Sequence, residues 1–287
     1  MADPDRIVHL DPRSPSWPEE LDWIDGPPEE LWARGRLDLL ARKPRVAVVG
    51  SRSPTPYGEA QARRFAWELA ARGVVVISGL ARGIDRCAHL AALDAGGATM
   101  ALLGSGVDQP WPAGETANRI VREGLLLSEF PPGQPPRRHH FPLRNRLISG
   151  LSDAVLVVEA AYASGSLITA RWAADQGRTV CVIPGRVDHP MARGCHRLIR
   201  EGATLVESPE QLAEELGWSL PPSPAHPSKE SSPLLDALVG ETLTAEELTR
   251  RLGRELGLVL TELVMFELAG RVVRAPGGLW RLAEKGG

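Results

Sequence analysis

Cysteine is scarce in this chain of 287 residues: Cys87, Cys181 and Cys195 are the three present, and none pairs with another at CxxC spacing. That argues against a disulfide framework and against a cysteine zinc site. His139, His140, His189 and His196 do not fall at ligand spacing either, so no metal is expected. Lysine is nearly missing, with only Lys43, Lys229 and Lys285, and the positive charge is therefore almost all arginine. No apolar run approaches the ~20 residues that a membrane-crossing helix needs. The opening Met-Ala-Asp-Pro-Asp-Arg lacks the basic start and apolar core of a signal peptide. The expectation is a cytoplasmic protein with no membrane partner. Neither GxGxxG nor GxxxxGK[ST] occurs, which removes the dinucleotide fingerprint and the Walker loop, and no cofactor is expected.

What is present is an uneven charge and a regular rhythm. Residues 1–42 hold 5 basic and 10 acidic side chains, whereas residues 43–215 hold 20 basic and 17 acidic ones. The surplus positive charge sits in the middle of the chain, where a polyanion would need it. From Arg45 onward, short Val/Ile/Leu runs alternate with helical patterns. Strands are predicted at Val46–Val49, Val74–Ser78, Thr99–Leu103, Leu125–Ser128, Ala154–Val158, Thr179–Ile183 and near Thr204–Val206. Continuous apolar runs mean strands covered on both faces, and intervening helices mean a parallel sheet. The fold class is α/β, an extended Rossmann-like doubly wound sheet. Residues 1–42 form an acidic lead packing on the core, with Trp17, Trp23 and Trp32 as its anchors. Residues 43–217 make the Rossmann-like domain and residues 218–233 a Pro/Ser-rich linker. Residues 234–287, with three helical patterns and a two-stranded wing, make a small winged helix.

In such sheets ligands bind beyond the carboxyl ends of the strands. The loops there carry small residues and arginines. Gly50-Ser51-Arg52 precedes a helix whose free N–H groups favour an oxyanion. Ser78-Gly79 to Gly83 makes a second glycine-broken turn, and Ser164-Gly165-Ser166 opens another helix. The densest stretch runs Arg137-Arg138-His139-His140-Phe141-Pro142-Leu143-Arg144-Asn145-Arg146. Pro142 suits the first turn of a helix. The arginines suit phosphates and Phe141 suits a base. Asp85 fits a helix cap better than a catalytic acid. Its neighbour at i+4, His89, has no obvious nucleophile to serve. Glu159 is the best carboxylate for a hydrolytic alternative, a nucleotide-hydrolysing Rossmann enzyme of the phosphoribohydrolase type.

At these residues the chain resembles the DprA/Smf family of DNA-processing proteins. The matching motifs are Val49-Gly50-Ser51-Arg52, Ser78 to Asp85, Phe141 to Gly150, Ser164 to Ala170, and Pro184-Gly185. The resemblance implies a non-enzymatic binder of single-stranded DNA that protects incoming strands and helps load the RecA recombinase during natural transformation, working as a homodimer. It also implies DNA-binding roles for Ser51, Arg52, Arg137, Arg138, Phe141, Arg144 and Arg146. Asn145, Gly79, Gly83, Gly165 and Ser166 are expected to complete the pocket. At one corner the pattern departs: Gly194-Cys195-His196 stands where the family usually has Gly-x-Asn.

Overall fold

The structure is a computed structural model and describes residues 5–222, 232–268 and 270–283. The chain divides into two compact units, residues 1–54 and 61–224 in the first, residues 55–60 and 225–287 in the second. Of the linker expected over 218–233, residues 223–231 lie outside the described residues.

The first unit is built on a nine-stranded sheet. Its strands are β1 (Ile7–Leu10), β2 (Leu31–Gly35), β3 (Arg45–Val49), β4 (Val75–Ser78), β5 (Thr99–Leu102), β6 (Leu125–Ser128), β7 (Ala154–Val157), β8 (Thr179–Val182) and β9 (Thr204–Leu205). They lie in the order β1-β2-β6-β5-β4-β3-β7-β8-β9. All pairings from β6 to β9 are parallel. The connecting helices are α1 (Pro56–Ala71), α2 (Ile84–Asp94), α3 (Glu115–Glu123), α4 (His140–Gly150), α5 (Ser166–Asp175), α6 (Arg193–Arg200) and α7 (Pro209–Glu215).

The unbroken apolar runs have the physical meaning expected of them. In β5, Met100 and Leu102 join one core with Leu147 and Ile148 of α4 and Ala170 of α5. Ala101 between them, and Leu103 just past the strand, join another with Ala117, Ile120 and Val121 of α3. Successive side chains point to opposite faces, and both faces are dry.

The acidic lead does more than pack on the core. β1 and β2 pair with each other and then with β6, all antiparallel, and so extend the sheet. In β2, Leu31 and Ala33 are buried while Trp32 and Arg34 are half-buried, the alternation of a strand with one face inward. Of the three expected anchors, Trp17 is buried and donates to Asp22 at 2.8 Å. Trp23 is 87% exposed and anchors nothing. The unpredicted α7 is opened by Ser208, whose hydroxyl accepts from Gln211 N, and by Pro209.

The second unit comprises α8 (Pro233–Ala237), β10 (Leu243–Thr244), α9 (Ala245–Leu252), α10 (Leu256–Leu268), β11 (Val272–Ala275) and β12 (Leu279–Leu282). β11 and β12 form the wing, and β10 adds a third strand beside β12. The Thr244/Glu247 capping box is present at the start of α9. Leu234, Leu248, Val259, Leu263 and Trp280 share its core.

Candidate nucleic-acid interface

The strand order reverses at β3. From there the chain steps through β4 and β5 to β6 on one side, then returns to β7 on the other. The loops after β3 and β7 part at that point and leave a crevice at the carboxyl edge. The crevice is a groove of about 670 Å³. Gly50 to Ser53 form one wall. Ala161, Ala163 and Ser164 to Ser166 form another, and Phe141, Asn145 and Ile148 of α4 a third. Asp85 and Arg144 also line it, and Arg138 stands at its edge.

Close backbone approach explains the small residues. A Cβ on Gly50 would meet the Ile84 side chain at 2.7 Å and the Glu159 carbonyl at 2.9 Å. Ser51 N donates to that same carbonyl at 2.7 Å, and Ile84 N donates to Ser51 O at 3.1 Å. Gly83, at φ +80°, brings its backbone so near that a Cβ would lie 2.3 Å from Ser51 O. The turn at Gly83 thus fixes the Ser51 loop. Gly83 is not itself among the residues lining the groove.

Arg52 is exposed, and its guanidinium carbon lies 5.6 Å from the centre of the Phe141 ring. A Cβ on Gly104 would sit 3.0 Å from the Phe141 ring edge, so a larger residue there would crowd the ring. Arg137 and Arg138 are exposed, and no ion pair holds either among the described residues. Ser51 Oγ accepts from Ser53 N at 3.0 Å. The Ser164 and Ser166 hydroxyls meet at 2.8 Å where α5 begins, beside Gly165, which has open space around it. Ser51, Arg52, Arg138, Phe141, Asn145, Gly165 and Ser166 are therefore brought together on one groove.

Arg144 and Arg146, expected to meet phosphates, are buried and held by acceptors of the protein itself. α4 begins at His140, two residues before Pro142, and this phase turns Arg144 onto the stripe of His140, Leu147, Ile148 and Leu151 that faces the core. Arg144 is 3% exposed and donates through Nη1 to Gly79 O, at 2.7 Å, and to Leu102 O. Burial pulls its pKa down to about 10, with Asp85 opposing and Arg52 adding to the fall, so the group stays charged at neutral pH. Gly79 is a glycine because a Cβ would stand 2.6 Å from this guanidinium. It faces Arg144 and is not among the residues lining the groove. Arg146 grips both carboxylate oxygens of Glu129, at 2.7 and 2.6 Å, and donates to Gly26 O at 2.8 Å. It ties the acidic lead to the core.

Asp85 is the second residue of α2, and its carboxylate caps the preceding turn instead of the helix. It accepts from Gly79 N at 3.0 Å and Ala81 N at 3.4 Å. Burial raises its pKa, against the pull of Arg144 and of those N–H groups. His89 is buried as well; desolvation first, and Arg144 second, lower its pKa to about 3. As a neutral ring it accepts from Leu80 N at 3.3 Å through Nε2, which leaves Nδ1 to donate to Thr99 Oγ1 at 2.7 Å. These bonds hold Leu80 at φ 59°, a left-handed conformation that leucine rarely adopts. This buried cluster escaped the motif reading. The signal for it was the helical spacing of Arg144 with Leu147, Ile148 and Leu151.

Glu159 is buried, and its carbonyl oxygen is the atom that meets the Ser51 loop. The three cysteines are buried and form no disulfide among the described residues, and burial pushes Cys181 and Cys195 to about 12. In the departing corner, His196 Nε2 bonds to Gly185 O at 3.0 Å. Among the described residues, no cluster of His, Cys, Asp and Glu could hold a metal ion. None of their helices is long and apolar enough to cross a membrane.

A profile of the DNA recombination-mediator protein A family matches residues 9–217, and one of the DprA winged helix domain matches residues 219–278. Protein Smf of Escherichia coli K12 is 43% identical over 290 residues, covering 96% of this chain and 77% of its own. The X-ray structure of DNA processing protein A from Streptococcus pneumoniae superposes with a TM-score of 0.70 at 41% identity, covering 73% of this chain and 74% of that one. DNA processing protein A from Helicobacter pylori, solved to reveal its single-stranded DNA binding mode, superposes with a TM-score of 0.67 at 31% identity. That match covers 74% of this chain and 96% of the other.

Proposed function

Because the chain belongs to the DprA/Smf family of DNA recombination mediators, we propose that the groove at the β3/β7 reversal binds single-stranded DNA without cleaving it. The observation that carries this is the Arg52–Phe141 pair, a guanidinium over a ring at the mouth of a groove edged by Arg138. Exposed guanidinium groups neutralise phosphates, and a ring face takes a base of any sequence. A duplex hides its bases in the stack and offers that ring nothing. The groove's hydroxyls, backbone N–H groups and exposed arginines suit binding. The carboxylate nearest them, Asp85, is already bonded to two backbone N–H groups. The H. pylori relative supports the choice of ligand.

In this reading the bound strand is shielded from nucleases and passed to RecA, and the chain acts as a homodimer in the cytoplasm. The second unit has a different part. Its α10 carries Glu262 and Glu267 and no basic residue, which disfavours a phosphate-facing role.

A titration of single-stranded and duplex oligonucleotides against salt tests the proposal. Single strands should bind more tightly, and log K should fall with log salt at about −0.7 per phosphate neutralised. Arg52→Ala should weaken binding and flatten that slope, while Phe141→Ala should weaken it by ~1–3 kcal/mol and leave the slope alone. Equal affinity for duplex, or no response to either substitution, would overturn the assignment.

A further inference from the structure

We propose that Trp111 and Tyr162 are two more base-stacking stations, one on each side of Phe141, so that the strand runs across the carboxyl edge of the sheet. The proposal rests on the reading of the groove as a single-strand site and extends that site in both directions. It starts from an anomaly of burial. Trp111 is 55% exposed and Tyr162 is 62% exposed, although aromatic side chains dominate packing wherever they are buried. Both stand on loops that follow strands at the same edge, after β5 and β7 respectively.

The Trp111 loop is well braced. Gly106 N donates to Gln134 O at 2.9 Å, and the Asp108 carboxylate accepts from Gly133 N at 2.9 and 3.0 Å. Ser105 Oγ donates to Gln109 O at 2.7 Å. These bonds join the loop to the segment that leads into Arg137 and Arg138. On the other side, Tyr162 lies between Ala161 and Ala163, which line the groove. The Arg197 guanidinium is 5.5 Å from its ring centre, repeating the Arg52–Phe141 arrangement. The Tyr162 loop is fixed from below by Gly194 N, which donates to Ala160 O at 2.8 Å.

Topology sets the order of the three rings. Phe141 lies between Arg52, after β3, and Gly104, after β5. Trp111 belongs to the β5 loop and Tyr162 to the β7 loop, with β4 and β3 between those strands. The strands that carry the outer loops lie three spacings apart, roughly 14 Å. That is about four base-to-base steps, or about five nucleotides, at ~3.4 Å per step. Rings on loops this far apart suit a flexible strand better than a single nucleotide.

The test is fluorescence anisotropy with labelled oligothymidylates of four and twelve residues, using the full chain. Trp111→Ala and Tyr162→Ala should each weaken the twelve-residue strand about tenfold, with the salt slope unchanged. The four-residue strand should be affected less by either, because it cannot reach both outer rings. Trp111→Phe and Tyr162→Phe should restore most of the affinity, which simple loss of surface structure would not predict. Both side chains are exposed, so thermal melts should match the wild type. If both alanine variants bind the long strand normally while Phe141→Ala weakens it, the extended track is wrong and the groove stands. If Phe141→Ala and Arg52→Ala are also silent, the groove reading itself falls. Loss of RecA association with strand binding intact would instead make the outer rings a protein-docking surface and overturn the proposal.

Discussion

Within ten residues of chain, two pairs of arginines meet opposite fates. Arg137 and Arg138 stand in solvent ahead of α4. Arg144 and Arg146, inside α4, are 3% and 9% exposed. Side-chain chemistry is the same in all four, so the acceptors decide. Arg144 finds the carbonyls of Gly79 and Leu102, and Arg146 finds Glu129 and Gly26 O. Arg137 and Arg138 find no such partner among the described residues. Of the inner pair, Arg144 lines the groove while Arg146 ties the acidic lead to the core, and the outer pair is left exposed. A basic cluster in a sequence is thus two kinds of device until its helical phase is known.

The largest effect that would sharpen or break this division is on stability. Arg144→Ala should cost about 3 kcal/mol in a urea unfolding titration, because it leaves two buried carbonyls without their donor and removes the positive charge near buried Asp85. Arg144→Lys should recover only part of that, since an ammonium lacks the forked donors. An Arg144→Ala protein with normal stability and no strand binding would erase the distinction between the pairs. Next in size, Arg137→Ala with Arg138→Ala should leave the unfolding midpoint alone and flatten the salt slope of strand binding by about 1.4, two phosphates' worth.

The smallest effect concerns His89, which shares the buried field of Arg144. Its folded pKa of about 3 lies below the ordinary 6.5, so its contribution to stability is complete above pH 6.5 and fades as the pH falls toward 3. Between pH 6.5 and 5.5 the loss should be roughly 1 kcal/mol. His89→Gln, which can still accept from Leu80 and donate to Thr99, should lose measurably less over that interval in melts taken at each pH.

Much of the architecture could be read in advance because burial on both faces leaves unbroken apolar runs. Val46 to Val49 and Leu125 to Leu127 announce themselves as central strands. β2 escaped notice because Leu-Trp-Ala-Arg-Gly alternates, and Trp32, which does pack against one core, was read as an anchor without the strand that carries it. Of the candidate site, exposed Arg52 and Arg138 and half-buried Phe141 could be proposed from type and spacing. The burial of Arg144 and Arg146 could not be read in advance: Arg144 finds backbone acceptors 42 and 65 residues away, and Arg146 finds the Glu129 carboxylate and the Gly26 carbonyl. A carbonyl oxygen leaves no trace in the identity of its residue. The helical stripe shared with Leu147, Ile148 and Leu151 was the one local clue.

The Arg52 guanidinium lies over the Phe141 ring, with Gly104 close beside the ring edge. A bare ring at a cleft would be sticky toward any apolar surface it met, and the charged cover lessens that. In the proposed function, a base that stacks on this ring would have to displace the arginine, and the phosphate it brings would take the arginine up.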